Sequence, residues 1–180
     1  MRITRENTAA LVIDIQERLF PVMWKKENLL KNCNILLNGL KELSVPAIVT
    51  QQYTKGLGET LSDIKSLIPD FNFVEKRNFS CCDELQVMER LKENEAQNVI
   101  LCGIESHICV LQTAVDLKEA GLNPIVIMDC VSSRRQEDLE IAKERFRYEG
   151  IMMASYESVL FELTRTSGAP GFRAISKLVK

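Results

Sequence analysis

Residues 98–110 read "NVILCGIESHICV", and whether their first half is a buried strand decides the fold. "NVILCGI" is apolar on every residue between Asn98 and Gly103, with no polar alternation. A strand that buries only one face alternates, whereas one covered on both faces reads as a continuous apolar run, so this pattern points to a parallel sheet with helices on both sides. Glu105, Ser106 and His107 then interrupt the run before "ICVLQTAVDLKEAG" resumes it with helical spacing. The stretch is a strand, a polar turn and the mouth of a helix, and the turn presents Cys109.

The same type of run recurs at "AALVIDI" (9–15), "PAIVTQQ" (46–52), "FNFVEK" (71–76), "PIVIMDCV" (124–131) and "GIMMAS" (150–155). Helical stripes lie between them. Leu29, Cys33, Leu36, Leu40 and Leu43 recur at steps of four and three, Leu85, Met88 and Leu91 keep three-residue spacing, and Leu139, Ala142 and Phe146 repeat the theme. Strand and helix alternate about six times, which predicts an α/β fold: a three-layer α/β/α sandwich with a six-stranded parallel sheet and right-handed crossovers, Rossmann-like in layout. With 180 residues, a single domain spanning 1–180 is expected. Two segments escape the alternation. "YTKGLGETLSD" (53–63) reads as a loop long enough to cover a pocket, and "TRTSGAPGFRAISKLVK" (164–180) as a Gly/Pro-rich break before a short amphipathic helix.

Composition narrows the function. A net charge of -2 offers no basic footprint for nucleic acid or anionic lipid. The N-terminal apolar run is soon broken by Asp14, Gln16 and Glu17, unlike a signal peptide or membrane span, so a cytoplasmic protein is expected. Six cysteines without a C-x-x-C pair argue against disulfides and a zinc site. No G-x-x-x-x-G-K-[ST] or G-x-G-x-x-G follows a strand, which argues against a nucleotide cofactor. The chain has one histidine, His107, two residues from Cys109 and poorly placed to act as its base.

In open parallel sheets, ligands bind beyond the carboxyl ends of the strands. Here those ends carry Asp14 and Gln16, Gln51 and Gln52, Lys76, the turn from Glu105 to Cys109, and Asp129. Taken singly each has a plain reading: Cys109 as a core thiol, Asp14 as a strand-end cap, Lys76 as a solvated base, Glu105 and Ser106 as loop filler. Taken together they do not, because an apolar strand running straight into a carboxylate buries a charge that needs a cationic partner.

The combination "LVIDIQ", "EKRNFS" and "GIESHICV", followed by "DCVSSR", resembles the isochorismatase-like cysteine hydrolases over nearly the whole chain. The resemblance implies the isochorismatase-like hydrolase fold and a catalytic triad of Asp14, Lys76 and Cys109. It also implies a cis peptide joining Ile104 to Glu105. The expected activity is hydrolysis of a small molecule at a C–N amide or related bond through a thioester-type intermediate. In that scheme Lys76 and the helix terminus favour the thiolate, Asp14 moves the proton, and the backbone N–H groups of Glu105 and Cys109 hold the oxyanion. Nicotinamidase-type members carry an Asp-x-His metal motif after the second strand; "QQYTKGLGE" stands there instead, so neither metal nor other cofactor is expected.

Gln16, Phe20, Tyr53 and Phe79 are candidate pocket residues for a small, partly apolar or planar substrate. A helix terminus beside Lys76 predicts a Cys109 pKa below the free value of about 8.5 and early labelling by iodoacetamide. A homo-oligomer is expected because "GLGETLSDIKSLIP" and the C-terminal helix offer apolar surface. Two competing readings are a non-catalytic scaffold retaining the fold, which an inert Cys109 favours, and a redox-active thiol protein. The absence of a resolving cysteine near Cys109 in the sequence argues against the latter, Cys102 being a strand residue.

Overall fold

A computed structural model describes residues 2–180. The strands are β1 (Thr8–Ile13), β2 (Ala47–Gln52), β3 (Phe73–Lys76), β4 (Asn98–Ile104), β5 (Asn123–Ser132) and β6 (Met152–Ala154). They form one sheet in the order β3-β2-β1-β4-β5-β6, and every pairing is parallel. The helices are α1 (Lys26–Glu42), α2 (Thr54–Leu57), α3 (Ser62–Lys65), α4 (Leu85–Glu93), α5 (Leu111–Glu119), α6 (Gln136–Tyr148), α7 (Tyr156–Thr164) and α8 (Phe172–Leu178).

The continuous apolar runs have a direct cause. Successive side chains of a strand point to opposite faces, and both faces here meet helices. Ala10, Val12, Val49, Ile100 and Ile125 pack with Leu36 and Leu40 of α1, Leu160 of α7 and Ile175 of α8. Ala9, Leu11, Ile13, Ile48, Val99 and Val126 pack with Leu91 of α4, Leu117 of α5 and Phe146 of α6. The expected three-layer sandwich is therefore present. α6 has Glu137 and Asp138 in its first turn and Arg145 and Arg147 in its last, each favourable to the helix dipole. α7 starts on a reciprocal Ser155–Ser158 capping box.

The departures lie in the two irregular segments. Residues 53–63 are not an open loop: α2 and the start of α3 form there, and Ile64 is fully buried with Leu61, Leu67 and Ile68 packed on the core. The C-terminal helix packs on its own domain through a fully buried Ile175. Both surfaces expected to seek a partner are thus substantially covered by the chain itself.

Gly103 fixes how closely β4 can pass β1. Its φ is +121°, and a Cβ placed there would meet the backbone oxygen of Ile13 at 2.1 Å. Neither the conformation nor the contact tolerates a side chain, since the neighbour is backbone and cannot swing away. Gly103→Ala should lower stability by about 3 kcal/mol, read as a fall in the urea midpoint; an unchanged midpoint would show that the strands can separate here without penalty.

Candidate active site

The sheet register brings the chemistry together. Ile13 pairs with Thr50 on one side and Gly103 on the other, and Gln52 pairs with Lys76. The carboxyl ends of β1, β2, β3 and β4 therefore lie at one level, with Asp14 one residue past β1 and Glu105 one past β4. Asp14 takes a left-handed conformation with φ of 52°, which aspartate tolerates better than most residues. It is fully buried. Thr50 Oγ1 donates to its Oδ1 at 2.8 Å, and Lys76 Nζ lies 2.8 Å from its Oδ2.

Lys76 is buried too, despite being a residue type that ordinarily stays in water. Its ammonium is drawn among Asp14, Gln52 Oε1 at 2.6 Å and the carbonyl oxygens of Asn78 and Phe79, both at 3.1 Å. It also donates toward Cys109 Sγ at 3.6 Å. Asp14, Lys76 and Cys109, which the family resemblance groups together, thus form one contact group.

Electrostatics correct the sequence reading of the thiol. Burial and the Asp14 carboxylate push Cys109 up to about 12, against the lowering pull of Lys76. The expected depressed pKa is not found, because the positive charge that was to stabilise a thiolate is already committed to Asp14. Burial raises Asp14 as well, opposed by Lys76, Thr50 and Cys109. Burial works to lower the Lys76 ammonium, but Asp14 and the neighbouring thiols outweigh it and its pKa is raised. Cys109 therefore rests as a neutral thiol that interacts with Asp14 as a hydrogen-bond partner.

Cys109 lies in a single π-helical turn, Ser106–Val110, that leads into α5. The Glu105 carbonyl accepts from both Ile108 N at 3.1 Å and Val110 N at 3.2 Å, the second being the five-residue spacing of a π turn. The Ile104–Glu105 peptide is cis. Residues after β5 hold this turn in place. Ser106 Oγ and Ser133 Oγ are hydrogen-bonded, His107 Nδ1 meets the same Ser133 Oγ at 2.8 Å, and Arg134 Nε donates to Glu105 Oε2 at 3.0 Å. His107 therefore serves the turn and not the thiol.

A family model, the isochorismatase domain, matches residues 8–158. The chain belongs to the isochorismatase family. It is 36% identical over 184 residues to the secreted isochorismatase effector Isc1 of Phytophthora sojae, covering 99% of this chain and 87% of that protein. The structure of the MAR1 ribonuclease of Caenorhabditis elegans superposes with a TM-score of 0.94 at 36% identity, covering 99% of this chain and 92% of that one. The YcaC gene product of Escherichia coli, described as an octameric hydrolase of unknown specificity, shares the fold with a TM-score of 0.88 at 21% identity, covering 93% and 84%.

Within this isochorismatase domain the four candidate pocket residues fall in different places. Gln16 is buried, and its amide is committed: Nε2 donates to the carbonyls of Gln52 at 3.0 Å and Gly58 at 2.7 Å, while Oε1 accepts from Gln52 N at 2.7 Å. It ties residue 58 to the end of β2. Phe20 packs against the core. Tyr53 is partly exposed, with the Arg77 guanidinium 3.9 Å above its ring. Phe79, half exposed, stands beside the site through its carbonyl bond to Lys76. Two residues the sequence reading left without a role touch this contact group directly: Thr50 holds Asp14 and Gln52 holds Lys76. The polar letters in the otherwise apolar run "AIVTQQ" were their only trace.

Among the cavities elsewhere are two of about 410 and 560 Å³, lined by Pro46, Ala47 and Ile68 in one and by Leu85, Met88 and Gln97 in the other. Both sit near the amino ends of strands and hold no acid–thiol group, so the chemistry and not cavity size locates the site. Among the described residues, no three His, Cys, Asp or Glu side chains are arranged to hold a metal ion, and no helix is long and apolar enough to cross a membrane.

Proposed function

We propose that the protein is a cysteine hydrolase of a small molecule, cleaving a C–N amide or related bond through Cys109, Asp14 and Lys76. The contact group of a buried Asp14–Lys76 pair with Lys76 Nζ 3.6 Å from Cys109 Sγ carries this reading. On attack, the Cys109 proton passes to Asp14 as sulfur bonds to the carbonyl carbon. Lys76 stabilises negative charge as it moves from Asp14 to sulfur, and the N–H groups of Glu105 and Cys109 receive the oxyanion. Asp14 then protonates the leaving nitrogen; water attacks the thioester and gives a proton to Asp14, and as the C–S bond breaks and the acid leaves, Asp14 returns that proton to the Cys109 sulfur. All steps use side chains of one chain and no metal, so a chelator should leave activity unchanged; loss in chelator with recovery on added zinc would overturn the metal-free scheme.

The experiment is a panel of small amides and carbamoyl compounds, with intact-mass detection of an acyl adduct on Cys109. A single-stranded RNA oligonucleotide belongs in the panel because of the ribonuclease to which the chain is similar, although a net charge of -2 favours a small substrate over a polyanion. Adduct formation on another residue, or cleavage of RNA alone, would overturn the reading.

A neutral resting thiol makes a distinctive prediction for Asp14→Asn. The substitution removes the carboxylate that raises the Cys109 pKa and frees Lys76 to lower it, so iodoacetamide should alkylate Cys109 several-fold faster at pH 8 while turnover is lost. Slower alkylation in Asp14→Asn would show that Asp14 also serves as base toward the reagent.

The proposal includes a cytoplasmic location, which suits six free thiols, and a homo-oligomer. Leu85, Ile141 and Tyr148 expose 72%, 66% and 86% of their surface, apolar area that an interface would withdraw from water. Sedimentation at micromolar concentration should show an assembly larger than the monomer; a single monomeric boundary would remove this part.

A further inference from the structure

The site contains a second thiol that hydrolysis does not use. Cys102, considered from sequence as a possible resolving thiol, lies on the far face of the sheet with Cys33 and Cys130. Cys81 lies on the same face as Cys109. Its backbone N–H donates to Thr113 Oγ1 at 2.9 Å, and Thr113 is four residues after Cys109, one turn along the segment that carries the nucleophile. Its Sγ contacts Thr50 Oγ1 at 3.9 Å, and Thr50 in turn holds Asp14. Cys81 and Cys109 are thus linked to the same ion pair, one through Thr50 and the other through Lys76, and Cys81 lies close enough to act on the Cys109 thiol.

We propose that Cys81 is the resolving thiol of an oxidative modification at Cys109, closing a reversible Cys81–Cys109 disulfide when a hydroperoxide enters the site. The inference rests on the nucleophile assignment above and adds a regulation to it. In the first step the Cys109 sulfur attacks the terminal oxygen of the hydroperoxide, its proton going to Asp14. The O–O bond breaks, an S–O bond forms, the alcohol or water leaves with a proton, and sulfur is oxidised by two electrons to the sulfenic acid. In the second, the Cys81 sulfur attacks Cys109, the S–O bond breaks, and hydroxide leaves with the Cys81 proton as water. A dithiol such as dithiothreitol returns both thiols and is itself oxidised to the cyclic disulfide.

The surroundings suit these roles. Burial and the Asp14 charge push Cys81 up to about 12, so it stays a thiol until an electrophilic sulfur is beside it. It heads a three-residue turn, Cys81–Asp83, whose first N–H is held to Thr113 of α5. Cys82 points elsewhere, its Sγ toward the Thr113 carbonyl at 3.8 Å. Without a resolving thiol, the sulfenic acid of a hydrolase nucleophile is open to further, irreversible oxidation.

The test needs no substrate. The intact protein is treated with hydrogen peroxide, and Cys109 is followed by iodoacetamide labelling and peptide mass. The wild type should lose about 2 Da, yield a Cys81–Cys109 cross-linked peptide, and regain its Cys109 labelling in dithiothreitol. Cys81→Ser should instead gain about 32 Da on Cys109, the sulfinic acid, with recovery reduced at least several-fold, while Cys82→Ser behaves as wild type. Sulfinic Cys109 without the cross-link in the wild type, or full recovery in Cys81→Ser, would overturn the resolving role and leave the nucleophile standing. A Cys109 inert to both peroxide and iodoacetamide would sink both.

Discussion

Cys109→Ala should lower kcat/KM for whichever amide proves to be turned over by about four orders of magnitude or more, with little change in fold stability. The size follows from the chemistry. Removing the sulfur removes the atom that forms the covalent bond, and neither Asp14 nor Lys76 can replace it. Asp14 is a weak carboxylate nucleophile held between Thr50 and Lys76, and Lys76 is kept protonated by that same carboxylate. What survives is oxyanion stabilisation and substrate positioning, which supply a residual rate in other acyl-transfer sites. The small effect on stability follows from the position. Cys109 is a nearly buried thiol whose polar contacts are a 3.6 Å approach from Lys76 and an interaction with Asp14, so its loss leaves those two still paired with each other. Matched assays and urea curves on the two proteins check this. A loss of turnover that merely tracks a loss of folded protein would make Cys109 structural.

How far this site was legible in the sequence depends on what each feature is made of. The strands were legible because burial on two faces writes itself as an unbroken apolar run; an acid, a base and a thiol stood where such runs ended, and their grouping came from the family resemblance. Thr50 and Gln52 were hidden because their partners lie across a strand pair: Gln52 sits beside Lys76 through β2–β3 register, which no local spacing encodes. The Cys109 pKa was misjudged for a related reason. A helix mouth and a nearby lysine argue for a low value, but the outcome turns on how much of that positive charge Asp14 has already taken. Cys81 was missed because adjacent cysteines at 81 and 82 look alike in the sequence, and only packing separates the one under α5, in contact with Thr50, from its neighbour. The helices at 54–57 and 62–65 were too short to carry a readable period.

Lys76→Met should cost about 4 kcal/mol of stability at neutral pH, the largest loss expected at the site. Methionine fills similar volume, so the effect is electrostatic. The Asp14 carboxylate is left buried with its remaining support from Thr50 and Cys109, and the Gln52, Asn78 and Phe79 oxygens lose their shared donor. The sign of the pH dependence is fixed by Asp14. Its pKa is already raised by burial with Lys76 present, and removing the ammonium raises it further. A carboxyl whose folded pKa exceeds its unfolded one favours folding while both states are protonated, and loses that advantage as pH climbs from the unfolded value of about 3.9 through the folded one. The penalty of Lys76→Met should therefore be small near pH 4 and largest at pH 7 and above. Adding Asp14→Asn removes the orphaned charge, so the double variant should recover more than half of the loss at pH 7, the remainder belonging to the three acceptors left without a donor. Urea unfolding of the single and double variants across that pH range decides the point. A double variant no more stable than Lys76→Met alone would mean that the lysine acts through its hydrogen bonds and not by neutralising Asp14.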